Sequence, residues 1–151
     1  MAQLFPYCKV TGIDFALPNE HDQFNGIPNL QFMHGDIRLP LAFADHTFDL
    51  IYQRDVASML PSSCWPQLIS EWKRILKPGG YLQLTEYDPF FKNPGPVLSL
   101  INEWCKLAAL TLGVDPYGID KLPHLLRSVG FECQVHSIDI PIGEWPKDPS
   151  K

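Results

Sequence analysis

The sequence predicts an α/β fold of the doubly wound class, with a mostly parallel sheet. Short apolar segments alternate along the chain with longer segments whose apolar residues recur at helical spacing. Several of the short segments end on or beside an acidic residue, and stretches rich in glycine and proline separate the segments. Strands that alternate with helices run parallel and are joined by right-handed crossovers, which is the arrangement of a doubly wound sheet.

Short runs rich in β-branched and aromatic residues predict the strands. They cover residues 9–15, 30–36, 48–53, 81–87 and 131–140. In the last run the alternation of apolar and polar side chains breaks near Ser137, which indicates a change of the buried face. The segment 16–29 is polar and contains Pro18, Gly26 and Pro28, so we expect a loop there, with part of it in a short helix.

The best-defined helix of the sequence lies between the third and fourth strands. It opens near Ser62 and Pro66, because proline is tolerated in a first helical turn. The turn Lys77-Pro78-Gly79-Gly80 is expected to end it, since proline cannot continue a helix and glycine permits positive φ. Its core-facing stripe consists of Trp65, Leu68, Ile69, Trp72, Ile75 and Leu76.

Two further helices are predicted in the second half of the chain. One covers the apolar residues 96–112, and its Trp104 is expected to lie in the core. The other begins at a capping Asp120 and ends at Gly130, a residue type that favours helix ends.

Composition and charge narrow the classes of function. The chain has 151 residues, of which 45% are hydrophobic, so it has enough apolar material for the core of one domain. The formal net charge is -5 without a dense basic patch, which disfavours direct nucleic-acid binding, because phosphate contacts dominate that affinity. The sequence has no apolar run of the roughly 20 residues that span a membrane, no signal peptide and no metal-binding His or Cys pattern.

The cysteine content points to a reducing compartment. The four cysteines are far apart and form no CxxC motif, so we interpret them as reduced, mostly buried thiols. We therefore expect a soluble intracellular protein, cytoplasmic in the first place, with the nucleus as the alternative compartment.

Carboxylates at the tips of the first two strands are the first candidate functional groups. Asp14 can accept hydrogen bonds from two ribose hydroxyls, although an aspartate at a strand end also serves as an ordinary turn residue. Asp36 repeats the arrangement and can accept from an exocyclic amine, with Ile37 beside an adenine face. Because ligands of open α/β sheets bind beyond the carboxyl ends of the strands, the two acids favour a nucleoside site.

The order of four features resembles the class I S-adenosylmethionine-dependent methyltransferases. These features are the strand ending in Asp14, the pair Gly35-Asp36, the segment Phe48-Asp49-Leu50-Ile51 and the segment Leu76-Lys77-Pro78-Gly79-Gly80-Tyr81-Leu82. Each is modest alone, but their order and spacing are specific. The resemblance covers residues 9–141 and implies a Rossmann-like doubly wound sheet.

The resemblance also implies a domain organisation and a subfamily. Residues 1–151 form a single partial methyltransferase domain with a core at 9–141 and a tail at 142–151. The segment 48–88 and the closing residues 140–146 resemble the fungal branch that includes the secondary-metabolism regulator methyltransferases.

Carried over residue by residue, the resemblance implies contacts to S-adenosylmethionine and no metal. Asp14 holds the ribose hydroxyls, and Phe15 and Ile37 pack on the adenine. Asp36 accepts from the adenine amino group. The residues implied to lie beside the methionine part and the transferred methyl are Gln53 and Arg54.

The acceptor side is defined less sharply. The resemblance implies that Glu86, Tyr87 and Asp88 border the acceptor pocket, which Tyr117 also reaches. No residue stands out as a catalytic base, since His46 lies in a predicted turn and is interpreted as solvated. The acceptor is a small molecule or a protein.

The chain departs from the family at the glycine-rich cofactor loop. No G-x-G sequence occurs in it, and too few residues precede Asp14 to hold that loop. The resemblance therefore implies that the first strand of the sheet, and also the last, are missing. An incomplete sheet leaves unpaired backbone, which favours association or partial folding, and we expect this chain alone to bind S-adenosylmethionine weakly or not at all.

Three functions remain as alternatives at this stage. The first is methyl transfer, with the activity of this chain alone in doubt. The second is a non-catalytic, methyltransferase-like fragment that acts as a binding or regulatory module. A nicotinamide-dependent dehydrogenase also uses an acid like Asp14, but the Gly35-Asp36 pair and the Lys77-Pro78-Gly79-Gly80 turn fit the methyltransferase pattern better.

Overall fold

The computed structural model describes residues 1–17, 24 and 26–141. Half of the predicted loop at 16–29 and the whole tail 142–151 lie outside the described residues. The elements, in chain order, are β1 (Val10–Asp14), β2 (Leu30–His34), β3 (Phe48–Arg54), a 3-10 turn (Ser62–Cys64), α1 (Trp65–Ile75), β4 (Leu76–Thr85), α2 (Pro96–Thr111) and α3 (Gly118–Ser128). Parallel strands combined with helices confirm the predicted class, an incomplete Rossmann-like α/β fold.

The strands form two parallel pairs. In the first, β1 lies beside β2 in unbroken register from Val10 opposite Leu30 to Asp14 opposite His34. In the second, β3 lies beside β4, with an irregularity between Phe48 and Leu50. Because both pairs are parallel, the predicted functional residues at the strand ends lie at carboxyl edges.

The core is built around the predicted apolar stripe of α1. Its members Leu68, Ile69 and Trp72 are almost completely buried, and the rings of Trp65 and Trp72 meet edge to face at 6.1 Å. Side chains of α3 complete the cluster, and half-buried residues of β3 and β4 pack against it. The residues of these neighbouring elements are Leu122, Leu126, Ile51, Leu82 and Leu84.

The end of α1 lies earlier than predicted. The helix ends at Ile75, and Leu76 is already extended, so the Lys77–Gly80 segment is the irregular start of β4 rather than a separate turn. The loop before β3 explains the early end, because it satisfies carbonyls that a helix C-terminus leaves free. The N–H groups of His46 and Thr47 donate to the carbonyls of Arg74 and Ile75 at 3.0 and 2.8 Å.

Arg74 ties the same loop to α1 through several hydrogen bonds. Its guanidinium donates to Asp45 Oδ1 at 2.8 Å and to the carbonyls of Leu41 and Phe43 at 3.0 and 2.7 Å. It also forms a two-point ion pair with Glu71 and holds the pKa of that carboxyl below its ordinary value. Residues 41–47 are therefore fixed against the helix before β3 begins.

The prediction that Trp104 lies in the core is wrong. Its side chain is 61% exposed, and Asn102 is the only buried residue of α2. The Asn102 amide bonds both the N–H and the carbonyl of Phe91 at 3.0 Å, and this bidentate contact anchors α2. The cap of α3 also differs from the prediction, because Tyr117 precedes the helix and Asp120 lies within its first turn.

The predicted strand at 131–140 and the burial of the cysteines are also corrected. Residues 131–140 belong to no strand, and after the half-buried Phe131 and Cys133 the chain is exposed. All four cysteines are free, with Cys8 and Cys105 exposed and Cys64 half-buried. Among the helices that the structure describes, none is long and apolar enough to cross a membrane.

The sharp start of β4 generates a stability prediction at Gly80. A Cβ at this position would lie 2.9 Å from the carbonyl oxygen of Lys77 and 3.1 Å from that of Asp49, so backbone would have to move. We expect Gly80→Ala to lower the free energy of unfolding by about 1–3 kcal/mol in urea titrations. Gly118→Ala is the control, since its Cβ would meet only an ordinary 3.6 Å contact in a helix. Equal urea midpoints for the two variants would contradict the prediction.

Candidate functional site

The carboxyl ends of β1 and β2 meet at Asp14. The N–H of Gly35 donates to the backbone carbonyl of Asp14 at 3.0 Å, so the strand ends carrying the two predicted acids are neighbours. One carboxylate oxygen of Asp14 accepts the N–H of Ala16 at 2.9 Å, which fixes the side chain in a local turn. Phe15 is 69% exposed, and its ring lies 5.6 Å from that of His34. The side chains of Asp14 and Phe15 are thus accessible to a ligand at this edge.

Asp36 is paired with Arg38. The Arg38 backbone N–H and side-chain Nε donate to Asp36 Oδ1 at 2.9 Å, and the terminal nitrogen donates to Oδ2 at 2.6 Å. These hydrogen bonds lower the pKa of Asp36 to about 2. The carboxylate is therefore ionised across the physiological range, and its acceptor positions are largely used by Arg38.

Ile37, which stands between Asp36 and Arg38 in the sequence, contacts the core. Its side chain is half-buried and packs against the core cluster around α1. The segment after β2 is thus held on one side by apolar packing and on the other by the Asp36–Arg38 pair.

At the end of β4, Glu86 binds the loop that follows β3. Its Oε2 accepts the N–H groups of Val56 and Ala57, both at 2.9 Å, and its Oε1 accepts from Gln53 Nε2 at 3.2 Å. A half-buried carboxylate that receives two backbone N–H groups fixes that backbone firmly, because charge-assisted hydrogen bonds are the stronger kind. We call this contact the Glu86 clamp.

The clamp secures a strained turn. Asp55, within the turn, has a positive φ of 57°, and its N–H donates to the Thr85 carbonyl at 2.9 Å. The side chain of Arg54 is 66% exposed and comes within 3.5 Å of the Asp55 carboxylate. The structure therefore brings Gln53, Arg54 and Glu86 together at one edge.

The other predicted acceptor-side residues, Tyr87 and Asp88, come just after Glu86 in the loop that follows β4. Tyr87 is 51% exposed, and Asp88 accepts the N–H of Phe90 at 2.9 Å in a local turn. His46 is exposed, as predicted, and its ring Nδ1 donates to the Leu76 carbonyl at 3.0 Å. Within residues 1–17, 24 and 26–141, no group of three His, Cys, Asp or Glu side chains is arranged to hold a metal ion.

Sequence reasoning missed Arg38 and the clamp. The spacing of Arg38 two residues after Asp36 is a local signal that points to an Asp-centred turn. The clamp joins residues about 30 positions apart, and no local pattern reveals it.

Comparison with known proteins matches residues 1–84 to the methyltransferase domain family. The chain is 33% identical over 88 residues to the secondary metabolism regulator laeA of Coprinopsis cinerea, covering 58% of the chain and 21% of that protein. It is 29% identical over 111 residues to methyltransferase pytC of Aspergillus terreus, covering 69% and 34%. It is 30% identical over 90 residues to phosphoethanolamine N-methyltransferase 3 of Arabidopsis thaliana, covering 60% and 16%. The chain thus spans 16% to 34% of the length of these relatives.

The Asp36–Arg38 pair generates a prediction on pH. Because the folded-state pKa is depressed, the pair stabilises the fold above the ordinary value of 3.8, and this contribution is lost as the pH falls towards 2. We expect the Asp36 carboxyl carbon to titrate near pH 2 by NMR, and Arg38→Met to move the midpoint towards 3.8. Arg127→Met, remote along the chain, is the control. An unchanged midpoint in Arg38→Met would show that Arg38 is not the cause.

The Glu86 clamp generates a prediction on local opening. Glu86→Ala removes the acceptor of two backbone N–H groups, so we expect the amides of Val56 and Ala57 to exchange at least about tenfold faster. Glu86→Gln keeps an oxygen for both N–H groups, and the Gln53 amide can turn over to face the new NH₂, so exchange stays near wild type. Hydrogen exchange followed by NMR measures both effects.

The amide of Trp72 in α1 provides the internal reference for that experiment. If Glu86→Ala accelerates Trp72 as much as Val56 and Ala57, the substitution acts on global stability and the local clamp is rejected. Glu132→Ala, which removes an exposed carboxylate, is the matched control and should leave all three amides unchanged.

Proposed function

Because the chain belongs to the methyltransferase domain family, of class I type, we propose that it transfers a methyl group from S-adenosylmethionine to an acceptor at the carboxyl edge of its strands. The observation that carries the proposal is the pair of carboxylates, Asp14 and Asp36, on neighbouring strand ends linked through Gly35. Paired acids at this edge suit a nucleoside, because ribose hydroxyls and an exocyclic amine are hydrogen-bond donors.

The residues at the β1–β2 edge fit a nucleoside in chemistry. Asp14 offers carboxyl oxygens as acceptors in a fixed turn, and the exposed ring of Phe15 offers an apolar face beside it. Asp36 fits an adenine amine only if that amine shares or replaces a hydrogen bond that Arg38 now donates to the carboxylate. The chain contains no G-x-G sequence, so the proposed contacts to the cofactor include no backbone N–H groups of a glycine-rich loop.

Bound S-adenosylmethionine supplies a methyl group on a positively charged sulfur. A transfer of this kind would form the new bond from an acceptor lone pair to the methyl carbon, leave the carbon–sulfur electron pair on sulfur and release the acceptor proton to solvent. Alignment of donor and acceptor supplies most of the catalysis when the donor is already activated. In this proposal Gln53 and Arg54 lie beside the methionine part, and the Glu86 clamp holds Gln53 in position.

The acceptor-side residues of the proposal are Glu86, Tyr87 and Asp88. Glu86 acts on this side through the backbone that it holds, because its oxygens are used by Val56, Ala57 and Gln53. The acceptor itself is a small molecule or a protein, and we place the chemistry in the cytoplasm or nucleus.

A second candidate function is a non-catalytic module that keeps the fold and not the reaction. The Asp36–Arg38 pair favours this alternative, because it already uses the carboxylate proposed for the adenine. The two functions differ in whether the chain binds the cofactor at Asp14.

Titration with S-adenosylhomocysteine, followed by NMR, tests the proposed function. We expect weak binding to the wild-type chain, with a Kd above about 100 µM, and at least tenfold weaker binding by Asp14→Asn, which loses the charge on the ribose acceptor. Asp139→Asn, another exposed carboxylate, is the matched control and should bind as wild type.

Each other outcome of this titration has a definite meaning. Low-micromolar binding would contradict the expected weakness. Binding that Asp14→Asn leaves unchanged would remove Asp14 from the site. No binding at millimolar ligand would favour the non-catalytic module.

A further inference from the structure

A cavity of about 230 Å³ lies beside the carboxyl edge of β3 and β4. Ala57 and Ser58, in the loop after β3, contribute to its lining, as does Phe90 in the loop after β4. Small side chains on α2 leave the space open, notably Ala108 and Ala109. Ala57, the first lining residue in sequence, is three residues beyond Arg54. The proposed function places the transferred methyl group near Arg54, so the cavity lies beside the proposed position of transfer.

Hydrogen bonds fix the walls of this cavity. The N–H of Ala57 is bound by the Glu86 clamp at 2.9 Å. On the α2 side, the N–H of Val114 donates to the Ala109 carbonyl at 2.9 Å, and the Gly113 carbonyl accepts from Ser62 at 2.9 Å. A ligand entering the cavity thus meets a preformed site and orders little of the protein.

The aromatic part of the lining is also held in place. The ring of Phe90 lies 6.2 Å from that of Tyr117, and the Lys106 ammonium lies 5.5 and 5.7 Å from the two ring centres. Glu103, at 2.8 Å, raises the pKa of Lys106 and keeps it cationic, which maintains its attraction to both rings.

Few polar groups of the lining are available to a ligand. The Asp115 carboxylate accepts from the Lys121 ammonium and from the N–H of Tyr117, and the ion pair holds its pKa below the ordinary range. The Ser58 hydroxyl is the other oxygen-bearing side chain of the lining. A charged ligand would lose its hydration here with little compensation, whereas an apolar ring system would not.

We propose that this cavity binds a compact, apolar, ring-bearing small molecule as the methyl acceptor. Its volume lies just below the about 300–1,000 Å³ of typical small-molecule sites, which matches one or two fused rings. The role as acceptor rests on the proposed function, but the binding preference rests on the cavity alone. A polar acceptor such as phosphoethanolamine, the compound in the name of the Arabidopsis relative, is the alternative to be tested.

Binding of 2-naphthol to the 151-residue chain tests the inference. We expect a Kd of about 1 mM or tighter by NMR titration, with shifts at the methyl groups of Ala108 and Ala109. Ala108→Phe adds a ring within the lining at an exposed position and should weaken binding at least tenfold. Leu107→Phe, on the same helix but outside the lining, is the matched control and should change the Kd less than twofold.

A second filling variant guards against misfolding of the first. Cys105→Phe introduces a ring at another exposed lining position and should also weaken binding at least tenfold. The inference is overturned if 2-naphthol does not bind, if filled and control variants bind alike, or if phosphoethanolamine binds at least as tightly.

The experiment separates this inference from the proposed function. If 2-naphthol binds in the cavity while S-adenosylhomocysteine does not bind at all, the cavity preference stands and the proposed function fails. If S-adenosylhomocysteine binds through Asp14 and 2-naphthol does not bind, the proposed function stands and the apolar acceptor is rejected.

Discussion

Burial of one face of α1 is the interaction on which the rest of the structure depends. Leu68, Ile69 and Trp72 are at most 3% exposed, and each such side chain contributes about 1.5–3 kcal/mol by leaving water. A two-stranded sheet such as β3–β4 is marginal alone and needs a packed helix to be stable. Because α3 packs on the same cluster through Leu122 and Leu126, a single core holds the second strand pair and both helices.

The polar contacts extend this core to both ends of β3. At its start, Arg74 and the His46–Thr47 backbone tie the preceding loop to the end of α1. At its end, the Glu86 clamp fixes the turn that leads away from the strand. No buried side-chain nitrogen or oxygen in the part of the chain that the structure describes lacks a hydrogen-bond partner. The position of β3, and with it of the proposed transfer site, is therefore defined by satisfied contacts rather than by strand pairing alone.

Local patterns were sufficient for the elements that bury a regular face, and insufficient where distant partners decide. The β-branched runs located β1, β2 and β3 to within two residues, and helical spacing identified the buried stripe of α1.

The predicted end of α1 was too late in the sequence, because the N–H of Thr47, a residue distant in sequence, donates to the carbonyl of Ile75. The prediction of a strand at 131–140 was wrong, because an alternation of apolar and polar side chains does not supply a neighbouring strand to pair with. The prediction that Trp104 is buried was wrong, because apolar composition alone does not determine which face of a helix is covered. Asp14 and Asp36 were located at neighbouring strand ends, but their ligands remain a prediction.

The two halves of the proposed site differ in how they are held, and this difference bears on affinity. At the β3–β4 edge, the clamp on Val56 and Ala57 joins residues distant in sequence and rests on the core, so that edge is preorganised. At the β1–β2 edge, Asp14 and Asp36 are held by partners two residues away, and the ring of Phe15 is mostly exposed. Binding a nucleoside there orders exposed side chains and competes with Arg38, and both effects reduce affinity. The weak cofactor binding that we expect and the preformed acceptor cavity that we propose thus have one physical origin, since the α1 core supports the β3–β4 pair directly, whereas Asp14 and Asp36 are held by local interactions.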